Sequence, residues 1–229
     1  MTEASMAVHD NVRRLRRLDG CAVSDALDKL GLAGVVTGLP QRSGRGRIAG
    51  QVITVKLGAV NAKAALGPSR HLGCTAIEAA GPDNVIVVEQ RTGVEAGCWG
   101  GLLTLGAKVR GVAGVVADGP LRDVDEAVAY EFAIFSRSLT SFTARGRVVE
   151  EGTNLPVQIG AVTVHPGDYV LADGSASIFI AAGHIASVLD TAEMIVGKEA
   201  AMAKAILSGT PIGDVMGGNY EHMLNPVTP

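Results

Sequence analysis

The sequence predicts a layered α/β core with a β-rich second half and a long C-terminal helix. Apolar periodicity alternates between strand and helix as far as Phe132, and short strand patterns separated by turns dominate after it. A chain of 229 residues with 47% hydrophobic content and a mean hydropathy of +0.28 can bury one substantial core. We therefore expect a single domain over residues 1–229, with a core at about 20–208 and a tail at 209–229.

The first half is predicted to alternate helices with strands. Ser24 to Leu30 predicts a short helix with Ser24 as its cap and Gly31 as its stop, since glycine tolerates the left-handed conformation. A loop rich in glycine and arginine follows over residues 34–50. The other elements of this half are strands at 51–57, 84–89 and 114–118, and helices at 72–80, 99–110 and 124–130.

The second half is predicted to be mostly β. Turns at Pro166-Gly167-Asp168 and Asp173-Gly174 punctuate it. A long final helix spans about Ile185 to Leu207 and ends near Gly209. The strands of this half are at 134–136, 147–150, 161–164, 169–172 and 178–180.

Charge and cysteine content narrow the class of protein. A net charge of −3 gives no basic field for nucleic acid, and the arginines between 13 and 17 are expected to form one solvated helix face. Three widely spaced cysteines argue against a disulfide framework and a cysteine-rich zinc site, which indicates a reducing, cytoplasmic setting. No apolar run approaches the roughly 20 residues that span a bilayer, so no membrane partner is expected.

The run Asp118-Gly119-Pro120-Leu121-Arg122-Asp123 predicts a strand-to-helix turn that carries a guanidinium beside a carboxylate. An arginine fork binds a carboxylate or an enolate oxygen at two points, and aspartate supplies the oxygen ligand that Mg²⁺ or Mn²⁺ prefers. These residues suit a small oxo-acid held on a divalent metal. The alternative is that Arg122 and Asp123 form only a helix cap and a surface ion pair.

A second turn, rich in glycine, lies at Gly93 to Gly101 before a predicted helix. Unpaired backbone N–H groups at the start of a helix favour anions, so this turn is a natural cradle for a carboxylate. The two turns are expected to converge at neighbouring strand ends. The alternative is that these glycines only permit close packing of helix on sheet. No dinucleotide or phosphate-loop spacing is present, which disfavours nucleotide cofactors.

Several motifs in order resemble the RraA-like family, which includes the class II 4-hydroxy-4-methyl-2-oxoglutarate/4-carboxy-4-hydroxy-2-oxoadipate aldolases. The resemblance spans roughly residues 20 to 225. Its motifs are Arg70 to Gly73, Trp99 to Leu103, Ala107 to Gly114, Asp118 to Glu126, Phe132 to Phe135, Pro166 to Asp168, Ala172-Asp173 and Lys198 to Met202. The resemblance implies an α/β/α layered sandwich of the swivelling-domain type. It also implies trimers or hexamers with active sites in clefts between subunits.

The resemblance also implies roles for individual residues. Asp123 would bind the divalent metal, Mg²⁺ or Mn²⁺, and Arg122 would contact pyruvate or its enolate. Backbone donors for the pyruvyl carboxylate would come from Gly100, Gly101, Leu102 and Leu103. The expected function is a metal-dependent carbon–carbon lyase with oxaloacetate decarboxylation as a side activity. The alternatives are a non-catalytic RraA-like regulator that binds proteins, and a dehydratase or isomerase of a hydroxy- or oxo-acid.

One position departs from the family's aldolases, which carry an acidic residue twenty-one positions before the arginine. That position is Gly101 here, and Glu95 and Glu89 are the nearest acids that would replace it. A neighbouring subunit's glutamate also contributes in the aldolases, and the matching residue is Glu199, with Glu193 and Glu221 as alternatives. Two further residues, Arg70 and His71, would either reach a substrate carboxylate or cap a surface helix. Cys98 has no evident base, and we assign no nucleophile.

Overall fold

The computed structural model describes residues 2–60 and 71–217, and its centre is a nine-stranded mixed sheet. The order along the sheet is β1-β11-β10-β3-β4-β5-β6-β2, and β7 pairs with β3. A separate hairpin joins β8 to β9. The strands are β1 (Val35–Val36), β2 (Gln41–Ser43), β3 (Ile48–Ala59), β4 (Asn84–Gln90), β5 (Gly114–Leu121), β6 (Ile134–Leu139), β7 (Val148–Thr153), β8 (Val157–Ile159), β9 (Val162–Val164), β10 (Tyr169–Ala172) and β11 (Ser177–Ile180).

Seven α-helices lie in the described parts of the chain. A single 3₁₀ turn at Ala182–His184 leads into the longest of them. None of the helices is long and apolar enough to cross a membrane. They are α1 (Glu3–Leu15), α2 (Gly20–Lys29), α3 (Cys74–Ala79), α4 (Gly101–Val109), α5 (Val124–Ala129), α6 (Ile185–Leu207) and α7 (Ile212–Val215).

Strand β3 shows how the layers are arranged, because alternate side chains of a strand point to opposite faces. Ala49 packs into the cluster built with α1, α2 and α6, whereas Ile53 and Val55 pack into the cluster built with α3, α4 and α5. Val52 faces the other way, towards the apolar side chains of β8 and β9. The mixed α/β class and the long C-terminal helix are confirmed, and a β-hairpin builds the layer opposite the helices.

Parallel pairing in the middle of the sheet decides where the site lies. Strands β3, β4, β5 and β6 pair in parallel, so their carboxyl ends lie at one edge of the sheet. Strand β4 leads through a loop into α4, and β5 leads directly into α5. The starts of these two helices are therefore brought side by side at the edge where open α/β sheets bind ligands.

Several predicted boundaries were wrong. Helix α2 begins four residues earlier than predicted, and Asp19 rather than Ser24 caps it, accepting a hydrogen bond from the Ala22 N–H at 3.0 Å. Gly31 stops the helix at a φ of 66°, as expected. The predicted loop 34–50 contains β1, β2 and the start of β3, and β8 was not predicted. Helix α6 has the predicted bounds. The last part of the predicted tail, residues 218–229 including Glu221, lies outside the described residues.

The N-terminal arginines do not form a purely solvated face. Arg14 binds Glu193 and Asp190 of α6, with its Nε 2.8 Å from Glu193 Oε1. The hydrogen bonds to Glu193 and Asp190 raise the pKa of Arg14, and the hydrogen bonds from Arg14 lower the pKa of Glu193. Arg16 lies 3.4 Å from Asp83. The arginines therefore fasten α1 to the rest of the domain, and Glu193 is already committed to that contact.

We expect Asp118→Asn to lower the free energy of unfolding by about 2 kcal/mol, because charged hydrogen bonds within a protein contribute roughly that much. Asp118 is 3% exposed. Its carboxylate accepts from Arg137 Nε on β6 and, at 2.7 Å, from the Gly160 N–H of the hairpin. Urea denaturation measures the loss, with the exposed Asp125→Asn as a control of equal charge change. Equal stability of both variants would contradict this role.

Candidate active site

Two backbone hydrogen bonds beyond the end of the sheet join the two predicted turns. The Cys98 N–H donates to the Pro120 carbonyl at 2.8 Å, and the Arg122 N–H donates to the Trp99 carbonyl at 3.0 Å. Trp99 and Leu121 thereby form a parallel bridge. Trp99 is 1% exposed and donates its indole N–H to Thr104, so it is a packing residue that fixes the start of α4. The segment before α4 thus lies directly beside Arg122 and Asp123.

A cleft with a volume of about 840 Å³ lies at this junction. One wall comes from the two turns, and the opposite wall comes from residues 143–152 around β7. The cleft brings together the described residues predicted to bind metal or substrate, namely His71, Gly100, Gly101, Leu102, Leu103, Arg122 and Asp123. The predicted convergence of the turns is therefore present in the structure.

Asp123 occupies an unusual backbone conformation at the start of α5. Its φ of 57° and ψ of 41° are left-handed, and its side chain does not cap its own helix. The carboxylate turns to α4 instead, where Oδ2 accepts from the Gly101 N–H at 3.0 Å. Oδ1 lies 3.3 Å from Arg122 Nε, and each side chain is about one third exposed. The pair therefore keeps oxygen and nitrogen atoms available to a ligand in the cleft.

Two glycines lie against the Arg122 and Asp123 side chains where the two turns approach each other. A Cβ built at Gly97 would lie 2.8 Å from Cδ of Arg122, and one at Gly100 would lie 2.8 Å from Oδ2 of Asp123. Real Cβ atoms do not approach other atoms so closely. The glycine-rich turn therefore makes room for the Arg122 and Asp123 side chains.

The start of α4 presents backbone donors to the same cleft. The first hydrogen bond of the helical pattern runs from the Thr104 N–H to the Gly100 carbonyl. The Gly101 N–H donates instead to the Asp123 carboxylate. The N–H groups of Leu102 and Leu103 remain at the end of the helix, where the dipole favours an anion. This geometry suits a carboxylate next to Asp123.

Other predicted residues lie elsewhere or are already engaged. His71 lines the cleft and is exposed, whereas Arg70 lies outside the described residues. Glu89 accepts from the Gln158 N–H at 2.7 Å, and Glu95 accepts from Thr140 Oγ1 at 3.2 Å. Both glutamates are thus engaged with residues outside the two turns, and a role for either of them in place of the acid at Gly101 stays a prediction.

Glu199 lies on α6 and does not line the cleft of its own chain. Burial raises its pKa, and the negative charges of Asp19 and Asp25 raise it further. A role for Glu199 in the site would therefore require it to come from another copy of the chain, and this remains a prediction.

The sequence did not single out Glu126, Arg145 or Glu150. Glu150 lines the cleft and holds the start of α3, accepting from the Gly73 N–H at 2.7 Å. Arg145 lies in the opposite wall. Glu126 follows Asp123 by three residues at the start of α5, a spacing that places two side chains on the same face of a helix. That spacing was the signal available in the sequence.

We expect Cys98 to be chemically inert in the folded protein. Its thiol is fully buried and donates to the Pro120 carbonyl at 3.1 Å. Burial raises its pKa to about 12, and the charge of Asp118 adds to the shift. A variant that keeps only Cys98 should react with a disulfide reagent at pH 8 roughly a thousandfold more slowly than one that keeps only the exposed Cys21, because the thiolate is the nucleophile. Similar rates would contradict this burial.

A model of the RraA-like family, described as Aldolase/RraA, matches residues 20–178. A candidate 4-hydroxy-4-methyl-2-oxoglutarate aldolase of Halalkalibacterium halodurans is 28% identical over 202 residues, which cover 88% of this chain and 91% of that protein. Protein DlpA of Legionella pneumophila is 25% identical over 88% of this chain, and MJ0644 of Methanocaldococcus jannaschii is 33% identical over 53% of it. The aligned parts span only 32% of DlpA and 58% of MJ0644.

Solved structures show the same fold. An uncharacterised protein of Pseudomonas syringae pv. tomato superposes with a TM-score of 0.80 at 26% identity, over 91% of this chain and 98% of that one. RraAS2 of Streptomyces coelicolor, described as an unusual member of the RNase ES inhibitor RraA family, superposes with a TM-score of 0.73 at 23% identity. That superposition covers 83% of this chain and 93% of RraAS2.

Proposed function

The chain belongs to the RraA-like family, and from that premise we propose that it is a divalent-metal-dependent carbon–carbon lyase acting on a small oxo-acid. The observation that supports this most is the meeting of Asp123, Arg122 and the start of α4 in one cleft. Metal ligand, guanidinium and anion-binding N–H groups are the parts that cleavage to a pyruvate enolate requires. The aldolase name of the Halalkalibacterium protein agrees with this proposal.

The residues present fit a cation that keeps most of its water. The described chain contains no group of three or more His, Cys, Asp or Glu side chains arranged to hold a metal. Mg²⁺ is commonly held by one or two carboxylates together with waters and substrate oxygens, so Asp123 is a sufficient anchor. Bound there, Mg²⁺ or Mn²⁺ would act as a Lewis acid that polarises the keto oxygen of the substrate.

The protein's own groups would hold the substrate and stabilise the charge that develops. The Leu102 and Leu103 N–H groups would bind the carboxylate of the pyruvyl part, and the Arg122 guanidinium would donate to its keto oxygen. The hydroxyl loses its proton to water and becomes the carbonyl of the second product as the carbon–carbon bond breaks. The electron pair of that bond moves onto the keto oxygen of the pyruvyl part, and the resulting enolate then takes a proton from water to give pyruvate. Arg122 then meets a full negative charge, so its hydrogen bonds are stronger after the bond breaks than before.

An exposed apolar face beside the cleft supports self-association, which we propose as a trimer or hexamer. Leu102, Leu105 and Val109 lie on one side of α4, and Val128 is exposed on α5, the helix that packs against α4. Leu102 is 85% exposed and Val109 is 78% exposed. Exposed apolar groups clustered in this way mark an interaction surface. A second copy packed here would close the cleft and is the means by which a partner's Glu199 would reach it.

One observation favours the alternative, a non-catalytic regulator that binds other proteins. Gly101 stands where the family's aldolases carry an acid, and glycine offers no carboxylate to a cation. RraAS2, which shares this fold, is described as belonging to a family of ribonuclease inhibitors. A regulator would need neither the metal nor the oxo-acid, so metal-dependent turnover separates the two functions.

The test is release of pyruvate by the purified protein from 4-hydroxy-4-methyl-2-oxoglutarate and from oxaloacetate. We expect turnover with Mg²⁺ or Mn²⁺, loss of turnover with a chelator, and recovery when the metal is returned. Absence of turnover on both substrates at saturating metal would favour the regulator or another hydroxy-acid reaction.

A further inference from the structure

We propose that Glu126 supplies the second carboxylate of the cation site, in place of the acid that is absent at Gly101. This inference rests on the proposed metal-dependent function and assigns a residue to it. Glutamate at 126 would act from α5, whereas the acid of the family's aldolases acts from the start of the helix that corresponds to α4.

The space next to Gly101 is filled by the side chain of Glu126. A Cβ built on Gly101 would lie 1.7 Å from Oε2 of Glu126 and 2.8 Å from its Cδ. The same point lies 3.3 Å from Cβ of Asp123. The Glu126 carboxylate thus occupies the volume into which any side chain at 101 would project, immediately beside Asp123. A carboxylate from the neighbouring helix α5 therefore lies where a side chain at position 101 of α4 would lie.

The local contacts leave this carboxylate available. Glu126 is exposed, and its side chain has no hydrogen bond or ion pair to another residue of the described segments. Its own helix is short, but α4 and α5 pack against each other and keep Glu126 opposite Gly101. Glu150, which lines the cleft together with Asp123, already accepts from the Gly73 N–H and from Thr153. Glu126 is not itself a lining residue of the cleft, but its free carboxylate lies against Gly101, which lines the cleft beside Asp123.

The arrangement also determines what an acid at position 101 would do. Gly101→Asp by itself would displace the Glu126 carboxylate from its position, because Oε2 is the end of a flexible side chain and the new Cβ would take its place. Shortening Glu126 to alanine removes that conflict. The double substitution Gly101→Asp with Glu126→Ala should therefore move the second carboxylate from α5 to α4 while the site keeps its charge.

The experiment measures Mn²⁺ binding to the full chain without substrate, by calorimetric titration and by the paramagnetic resonance of free Mn²⁺. We expect Glu126→Gln to weaken Mn²⁺ binding by about tenfold, the lower end of what loss of a supporting ligand costs. Asp125→Asn, which removes the same charge from the adjacent exposed position, should change it by less than about twofold. The double substitution should bind more tightly than Glu126→Ala alone by about tenfold.

The outcomes separate this inference from the proposed function. If Asp123→Asn loses Mn²⁺ but Glu126→Gln binds it as the unaltered chain does, Glu126 has no such role and the metal site stands. If Asp123→Asn binds Mn²⁺ as well as the unaltered chain, the metal site itself is wrong. If Glu126→Gln and Asp125→Asn weaken Mn²⁺ binding equally, the effect comes from the change in net charge alone and the inference is wrong.

Discussion

Asp123→Asn is expected to lower the catalytic efficiency of metal-dependent turnover by about a thousandfold, which corresponds to roughly 4 kcal/mol. The substitution removes the charged oxygen that anchors the cation but keeps an acceptor for the Gly101 N–H. Asparagine also tolerates the left-handed φ of 57° at this position, so the fold should be preserved. Pyruvate release measures the loss of turnover. The midpoint of thermal unfolding, measured on the same preparation, shows whether the fold is preserved.

The control for this variant is Asp125→Asn, which lies two residues further along the same helix and is exposed. It should keep the turnover of the unaltered chain. Undiminished oxaloacetate decarboxylation by the Asp123→Asn variant would show that Asp123 is not the metal ligand.

Arg122→Lys is expected to lower kcat/KM by about a hundredfold, because lysine keeps the charge and loses the planar two-point contact. The loss should fall mainly on kcat, since the guanidinium interacts most strongly with the enolate that forms as the bond breaks. Lysine also lacks the Nε that lies 3.3 Å from Asp123 Oδ1. Steady-state kinetics with 4-hydroxy-4-methyl-2-oxoglutarate measure both constants.

The matched control is Arg110→Lys at the opposite end of α4, where the arginine bonds the Glu78 carbonyl away from the cleft. It should leave kcat/KM unchanged. A kinetically silent Arg122→Lys would mean that Arg122 and Asp123 are only a structural ion pair.

The sequence was sufficient to predict the α/β class and the meeting of the two turns, because alternating strands and helices predict neighbouring strands whose carboxyl ends share one edge of the sheet. It misplaced the end of β5, since Gly119 and Pro120 are typical of turns. Within the fold both residues belong to the strand. A Cβ at Gly119 would lie 2.7 Å from Cβ of Gln90, and the Pro120 carbonyl accepts from Cys98, so tertiary packing overrides the local signal.

The parts of the site that were not predicted come from distant segments of the chain. The wall at 143–152 reaches the cleft because β7 pairs with β3, and no local pattern marks that pairing. The relation between Gly101 and Glu126 depends on the packing of α4 against α5, which spacing alone does not give. Sequence reasoning instead chose Glu89 and Glu95, which are near in sequence and engaged elsewhere.

The most direct test of the central claim is a crystal structure of the chain with Mn²⁺ and oxalate, an analogue of the pyruvate enolate. We expect an anomalous manganese peak at the Asp123 carboxylate, with oxalate between the metal, the Arg122 guanidinium and the N–H groups of Leu102 and Leu103. A fully occupied manganese site elsewhere, or oxalate bound away from Arg122, would contradict it.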